Sequence, residues 1–389
     1  MRKKICVVTG NRSEYGLFRP LIVKIKADKV FDLKLLVTGA HLSPEFGTTL
    51  KEIVNDGYRI SGKVDIRLDK DTEVGICRSI GIGVTGFSKV LKRLSPDCII
   101  LLGDRFETFA CAIAAHVLRI PICHIHGGEL TEGALDDAFR HSITKMSVLH
   151  FPSTEVYRRR IIQLGELPNS VFNVGALGID NIMNLKLFKK DELEKQLGFT
   201  FKKRNILVTF HPVTLENNSA GAQFKELLKA IDNFDDLGVI FTKPNPDAGN
   251  REISKLIDAY VRKNLHKAAS FDSLGILRYL STMQFVNAVV GNSSSGIIEA
   301  PSLGRPSVNI GDRQKGRIKP DSVINCAPTE EEITLALKKA FSSKFADFCK
   351  TVRNQYGDGH AAGRISRVIK NRIFGLSAVK KSFCDIRSI

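Results

Sequence analysis

The stretch Ile5-Cys6-Val7-Val8-Thr9-Gly10-Asn11-Arg12-Ser13-Glu14-Tyr15-Gly16 decides the fold. Its first five residues, mostly β-branched, read as a strand buried on both faces. A glycine turn follows, and residues 17–26 read as an amphipathic helix. Strand, turn and helix open a βαβ unit. Such a turn points backbone N–H groups at an anion, and Arg12 adds a cation suited to phosphate oxygens. The turn is neither GxGxxG nor a P-loop, because GK[ST] is missing. Phosphate binding and an ordinary turn both fit it.

The same pattern repeats outward. Residues 33–38, 98–102, 122–125 and 148–151 read as strands. Residues 83–94, 106–118, 138–146 and 155–164 read as the helices between them. Strands separated by helices of this length predict a parallel sheet with ligands at its carboxyl edge. The alternation then restarts, with strands at 205–210, 238–242, 288–291 and 307–310. Its helices fall at 224–233, 252–264, 273–282 and 330–341. The fold class is therefore α/β, with two Rossmann-like domains facing a cleft. The expected limits are 1–178 and 179–358, with a peripheral tail at 376–389.

The length of 389 residues suits two domains of this size. No uninterrupted apolar run approaches the length of a membrane span, and the apolar stretch behind the basic start is too short for a signal peptide. Eight cysteines show no CxxC pair and sit mostly in apolar runs, which fits a reducing cytoplasm. The net charge is +17. Residues 1–180 hold 25 basic and 20 acidic side chains, and residues 181–389 hold 33 and 21. The excess is scattered, without interleaved aromatics and with no tryptophan. This argues against a nucleic-acid partner and for a small anionic ligand.

Further candidates lie at predicted strand ends. Gly103-Asp104-Arg105 delivers opposite charges to the sheet edge, with a helix cap by Asp104 as the plain alternative. In His124-Ile125-His126-Gly127-Gly128-Glu129, strand alternation puts both histidines on one face. A metal would need a third ligand at sensible spacing, and none is evident. Asp136-Asp137-Ala138-Phe139-Arg140-His141 follows. Adjacent acids at a helix start favour the helix dipole. Crowded beside His126 and Glu129, they also form a candidate acid–base cluster. In the second half, Pro212 sets His211 out at a strand end. Gly291-Asn292-Ser293-Ser294-Ser295-Gly296 precedes a helix and reads as a second anion nest, or as a simple serine cap. Gly311-Asp312-Arg313-Gln314-Lys315-Gly316-Arg317 is a compact basic loop at another strand end.

Taken in order, these motifs resemble the UDP-N-acetylglucosamine 2-epimerases, in particular their hydrolysing branch from sialic-acid and nonulosonate biosynthesis. The resemblance runs from about residue 3 to about residue 370. It implies the glycosyltransferase-B type of fold, with a C-terminal helix at about 359–375 packing back on the first domain. The implied reaction converts UDP-N-acetylglucosamine and water to N-acetylmannosamine and UDP. UDP leaves by anti elimination, and the 2-acetamidoglucal is then hydrated. The same reaction on UDP-N,N'-diacetylbacillosamine is the alternative substrate reading. A glycosyltransferase of the same fold and a nucleotide-sugar-binding module are the alternatives in other classes.

By resemblance, Asp104, His126, Glu129, Asp136, Arg140 and His211 are the catalytic candidates. Arg12, Ser13, Arg105, His211, Asn245, Ser293, Ser294, Gly296, Glu299 and Arg313 are the UDP-binding ones. No cofactor and no metal is implied, and a cytoplasmic homodimer is expected. One departure is His126, where many relatives carry a glutamate that transfers a proton. Ala40, Leu42 and Ser43 do not match the allosteric site of non-hydrolysing members, which favours hydrolysis.

Overall fold

The computed structural model describes residues 2–43, 49–68, 72–131, 135–212, 220–243, 250–376 and 380–385. The chain divides into two units. One comprises Met1–Glu129, Asp136–Asn181 and Tyr356–Ile389, and the other Leu130–Leu135 and Ile182–Gln355.

The first unit holds a six-stranded sheet. Its strands are β1 (Lys3–Thr9), β2 (Phe31–Thr38), β3 (Ile60–Val64), β4 (Cys98–Leu102), β5 (Ile122–Ile125) and β6 (Leu149–Phe151). The order is β3-β2-β1-β4-β5-β6, with every pairing parallel. All five residues of β4 are buried, as its unbroken apolar run requires in a sheet covered on both faces. Helix Arg12–Ala27 follows β1 and buries Phe18, Leu21, Ile22 and Ile25. Helix Ala361–Arg372 joins the same core through Ala361, Ala362, Ile365 and Ile369. Its first turn is capped from a distant segment. Asp180 accepts the N–H groups of Ala361 at 2.9 Å and Ala362 at 2.7 Å. Residues 380–385 also lie against this unit, where Lys381 Nζ reaches the buried Glu166 at 2.6 Å and Cys384 N–H donates to Gly165 O.

The second unit repeats the plan. Its strands are β7 (Arg204–Thr209), β8 (Leu237–Thr242), β9 (Ala268–Phe271), β10 (Ala288–Gly291), β11 (Ser307–Ile310) and β12 (Val323–Cys326). The order β12-β11-β10-β7-β8-β9 is the order of the first sheet, read from the other side. Phe210, Phe224, Phe241 and Tyr260 form a chain of ring contacts through its core.

The strands that the sequence pattern missed are β3, β9 and β12, all at sheet edges. Their burial is mixed, so they lack the apolar run that marks a central strand. Helix Glu73–Leu94 is long and apolar enough, by length and composition, to cross a membrane. It reaches that length through glycine and small polar residues rather than an unbroken apolar run. Its Phe87 and Leu91 are fully buried against the first sheet's other face. All eight cysteines are free thiols.

Candidate functional site

In each sheet the strand order reverses beside the first strand, between β1 and β4 in one and between β7 and β10 in the other. Open parallel sheets bind ligands at the carboxyl ends flanking this point. Gly10–Arg12 and Gly103–Arg105 occupy it in the first unit. His211 and Asn292–Ser294 occupy it in the second.

In the first unit Asn11 caps helix Arg12–Ala27, and its side chain accepts the Glu14 N–H at 2.9 Å. Arg12 pairs with Glu52. Ser13 is exposed on the first helical turn. After β4, the residue capping helix Phe106–Val117 is Arg105, not Asp104. Arg105 Nε donates to Glu107 Oε1 at 2.9 Å. Asp104 is thereby free of the helix and pairs with Arg140. Arg140, only 2 % exposed, also donates to Asp137 at 2.7 Å and to the backbone oxygen of Glu129 at 2.9 Å. Asp104 and Asp137 converge on one guanidinium, which sits between the two carboxylates. Asp136 opens helix Asp136–Met146 beside them.

The two histidines of β5 do not share a face, contrary to the alternation argument. The strand ends at Ile125, and His126 turns into the left-handed region at φ 64°. His124 is fully buried between Gly103 O at 2.7 Å and Thr144 Oγ1 at 3.1 Å. Burial lowers its pKa to about 3, so it stays neutral. His126 Nδ1 lies 3.3 Å from Glu129 Oε1. Glu129 is 2 % exposed and accepts from Ser153 Oγ at 3.1 Å. An imidazole and a carboxylate are thus held in contact at the end of β5. No group of metal-ligating side chains forms among the described residues.

In the second unit His211 is buried, at 6 % exposure, rather than projecting from the edge. The reason is Asn292. Its Oδ1 accepts the His211 N–H at 2.7 Å and its Nδ2 donates to the His211 carbonyl at 2.7 Å. The Asn292 carbonyl in turn accepts from Gln314 at 2.8 Å and from Arg313 at 3.1 Å. The expected helix behind the serines is a single turn, Ser295–Ile298. Ser294 takes a helical conformation and makes no side-chain cap bond, while Ser293 Oγ accepts the Ser295 N–H at 3.4 Å. Gly296 lies within the turn against Ser307, and Glu299 closes it at 9 % exposure. Asn245 lies outside the described residues.

Sequence reasoning quoted Glu14, Asn292 and Gln314 within motifs without giving them roles, and passed over Glu107 and Ser153. Only a polar residue at a strand end signalled Asn292. Ser153 and Gln314 meet the site through contacts between distant segments, with Glu129 and Asn292 respectively, while Glu14 reaches back only four residues to Gly10.

Two parallel sheets of identical order, each with polar turns at its reversal point, define the glycosyltransferase-B class of fold. A solved structure of the Methanocaldococcus jannaschii UDP-GlcNAc 2-epimerase, in complex with UDP-GlcNAc and UDP, superposes with TM-score 0.80 at 20% identity. The match covers 95% of this chain and 99% of that one. The family model described as UDP-N-acetylglucosamine 2-epimerase matches residues 23–370. The chain belongs to that family and is an enzyme of it. A Campylobacter jejuni GDP/UDP-N,N'-diacetylbacillosamine 2-epimerase (hydrolyzing) is 44% identical, over 83% of this chain and 84% of the relative. The Escherichia coli polysialic acid biosynthesis protein P7 is 39% identical, over 99% and 98%.

Proposed function

We propose that this enzyme is a hydrolysing 2-epimerase of a UDP-linked 2-acetamido sugar. A base takes the C2 proton while the C1–O bond to UDP breaks, leaving a 2-acetamidoglucal. Water then adds its oxygen to C1, and a proton returns to C2 on the opposite face. The products are UDP and the free 2-epimerised sugar. This chemistry needs two proton-transferring groups and cations for the departing diphosphate.

The observation that carries the reading is the buried cluster at the ends of β4 and β5. Arg140 fixes the Asp104 carboxylate, and His126 touches Glu129 within the same unit. Asp104, His126, Glu129 and Asp136 are the proton-transfer candidates, with Arg140 ordering them. His126 replaces the glutamate that many relatives use. Arg12, Ser13, Arg105, His211, Asn245, Ser293, Ser294, Gly296, Glu299 and Arg313 are the proposed UDP contacts. The reading includes no cofactor, a UDP-sugar partner and a cytoplasmic homodimer.

UDP-N-acetylglucosamine is the first substrate reading, supported by the family description and by the relative named for polysialic acid biosynthesis. UDP-N,N'-diacetylbacillosamine is the second, favoured by the name of the relative at 44% identity. Proton NMR of the enzyme in D2O with each substrate tests both. Free 2-epimerised sugar carrying deuterium at C2 is the expected product, and the faster substrate is the cellular one. UDP that stays attached to the sugar in both reactions overturns the hydrolysing reading.

A further inference from the structure

The backbone carbonyl just before Asp104 ends on a buried histidine. His124 Nε2 lies 2.7 Å from Gly103 O, and its Nδ1 lies 3.1 Å from Thr144 Oγ1. The ring is fully buried on β5. A carbonyl oxygen only accepts, so Nε2 carries the proton. Burial holds the ring neutral, outweighing the Gly103 bond, and the neighbouring His150, Arg140 and His126 act in the same sense as burial. Nδ1 is therefore an acceptor, and the Thr144 hydroxyl donates to it.

Both ends of this bridge lead to the site. Gly103 stands in the left-handed region at φ 74°. Its N–H donates to Ile125 O at 3.0 Å and its carbonyl meets His124, so β5 holds both of its backbone groups. Asp104 is the next residue. Thr144 lies four residues after Arg140 on helix Asp136–Met146, one turn along the same face. Arg140 grips the Asp104 carboxylate. One helix thus ties down residue 104 by its side chain and residue 103 by its carbonyl. Gly127, beside His126, packs on the bridge: a Cβ there would stand 2.9 Å from Thr144 Oγ1 and 3.0 Å from His124 Nδ1.

We propose that His124 is a positioning residue for Asp104: donating to Gly103 and accepting from Thr144, it fixes the end of β4 against the helix that carries Arg140 and so presents the Asp104 carboxylate in one orientation. The reaction that this orientation serves rests on the function proposed above. Arg140 fixes one carboxylate oxygen, and the His124 bridge fixes the backbone from which that side chain departs. His124 itself acts through Gly103 and Thr144.

Thr144→Val removes the hydroxyl at constant shape, and Thr144→Ser restores it. In the full chain Thr144→Val is expected to lower kcat by about 10²-fold, the loss that a misplacement of about 1 Å brings. UDP affinity by calorimetry is expected to stay near the wild-type value, and Thr144→Ser to recover most of the turnover. His124→Phe against His124→Gln, whose amide still donates to Gly103, repeats the comparison should Thr144→Val fail to fold. A merely structural role costs the same whatever stands at position 104. In the Asp104→Asn background the further loss from Thr144→Val is therefore expected to shrink to about twofold or less. Nitrogen NMR of the histidine-labelled wild type at pH 7 is expected to show His124 neutral and protonated at Nε2. Wild-type turnover in Thr144→Val, an equal loss in both backgrounds, or a His124 that is charged or protonated at Nδ1 overturns the proposal. Should the wild type release UDP from neither sugar nucleotide, the functional reading fails, while the tautomer still decides whether the bridge is there.

Discussion

Asn292 holds His211 by both of its backbone groups, accepting the N–H and donating to the carbonyl, each at 2.7 Å. Two loops that follow different strands, β7 and β10, are thereby locked in register at the point where the strand order reverses. The same asparagine passes the constraint to Arg313 and Gln314 through its own carbonyl. Asn292→Ala strips two buried backbone groups of their partners, each worth about 1–3 kcal/mol. Lower denaturant midpoints and weaker UDP binding are expected together. Loss of stability with unchanged UDP affinity would separate Asn292 from the site.

Asp104→Asn removes the carboxylate that Arg140 orders at the end of β4. Turnover is expected to fall by about 10²–10⁴, the range for a lost acid–base group. UDP binding should survive. Stopped assays of UDP release, beside calorimetry, read the two quantities separately, and near-wild-type turnover would take Asp104 out of the mechanism.

Arg12→Ala removes a cation beside the Gly10 turn and releases Glu52. A charge-assisted hydrogen bond is worth about 1.5–3 kcal/mol, so UDP affinity should weaken by about tenfold or more. Calorimetry at fixed ionic strength checks this, and unchanged affinity would remove Arg12 from the diphosphate contacts.

Acid should destabilise the first unit. His41 and His124 are buried neutral, with pKa values lowered to about 4 and about 3 by burial. Their folded values lie below the unfolded value of about 6.5. Their contribution is therefore whole above that value and is lost as pH falls toward the folded values. Glu166 acts in the same direction at lower pH. Burial alone would raise its pKa, but bonds from His150, Lys145 and Lys381 more than reverse this and bring it to about 2. Glu14, raised to about 8 by burial, works in the opposite sense over the same range, so thermal midpoints should fall from pH 7 to pH 4 by the excess of the two histidines over it. A flat profile would mean that this excess is absent.

Gly291→Ala should be among the most damaging single changes at the second sheet. Its φ is 128°, and a Cβ there would collide with the Thr209 carbonyl oxygen. The strained backbone alone costs about 1–3 kcal/mol, and the clash must also part β10 from β7. Chemical denaturation measures the loss. A variant as stable as the wild type would show that the strands part without cost.

The central strands were legible because a strand covered on both faces must be apolar throughout, as β1 and β4 are. Edge strands β3, β9 and β12 carry no such mark, since one side of each meets less of the protein. Strand ends were legible as polar turns. What those turns do was less so. His126 leaves the strand by a positive φ, which its place in an alternating pattern hides. The four-residue turn Ser295–Ile298 stands where local composition suggested a longer helix.

The sequence by itself determined two α/β halves and placed polar and charged residues at their strand ends, because periodicity and buried apolar runs are local properties. Only the tertiary structure decided which of those residues meet. Arg140 reaches Asp104 across 36 positions, Asn292 reaches His211 across 81, and Glu107 reaches Gly10 from another strand's helix. Such contacts, and the pKa shifts that burial brings, depend on what surrounds a side chain in space, and the chain's order does not contain that until β1 and β4, or β7 and β10, lie side by side.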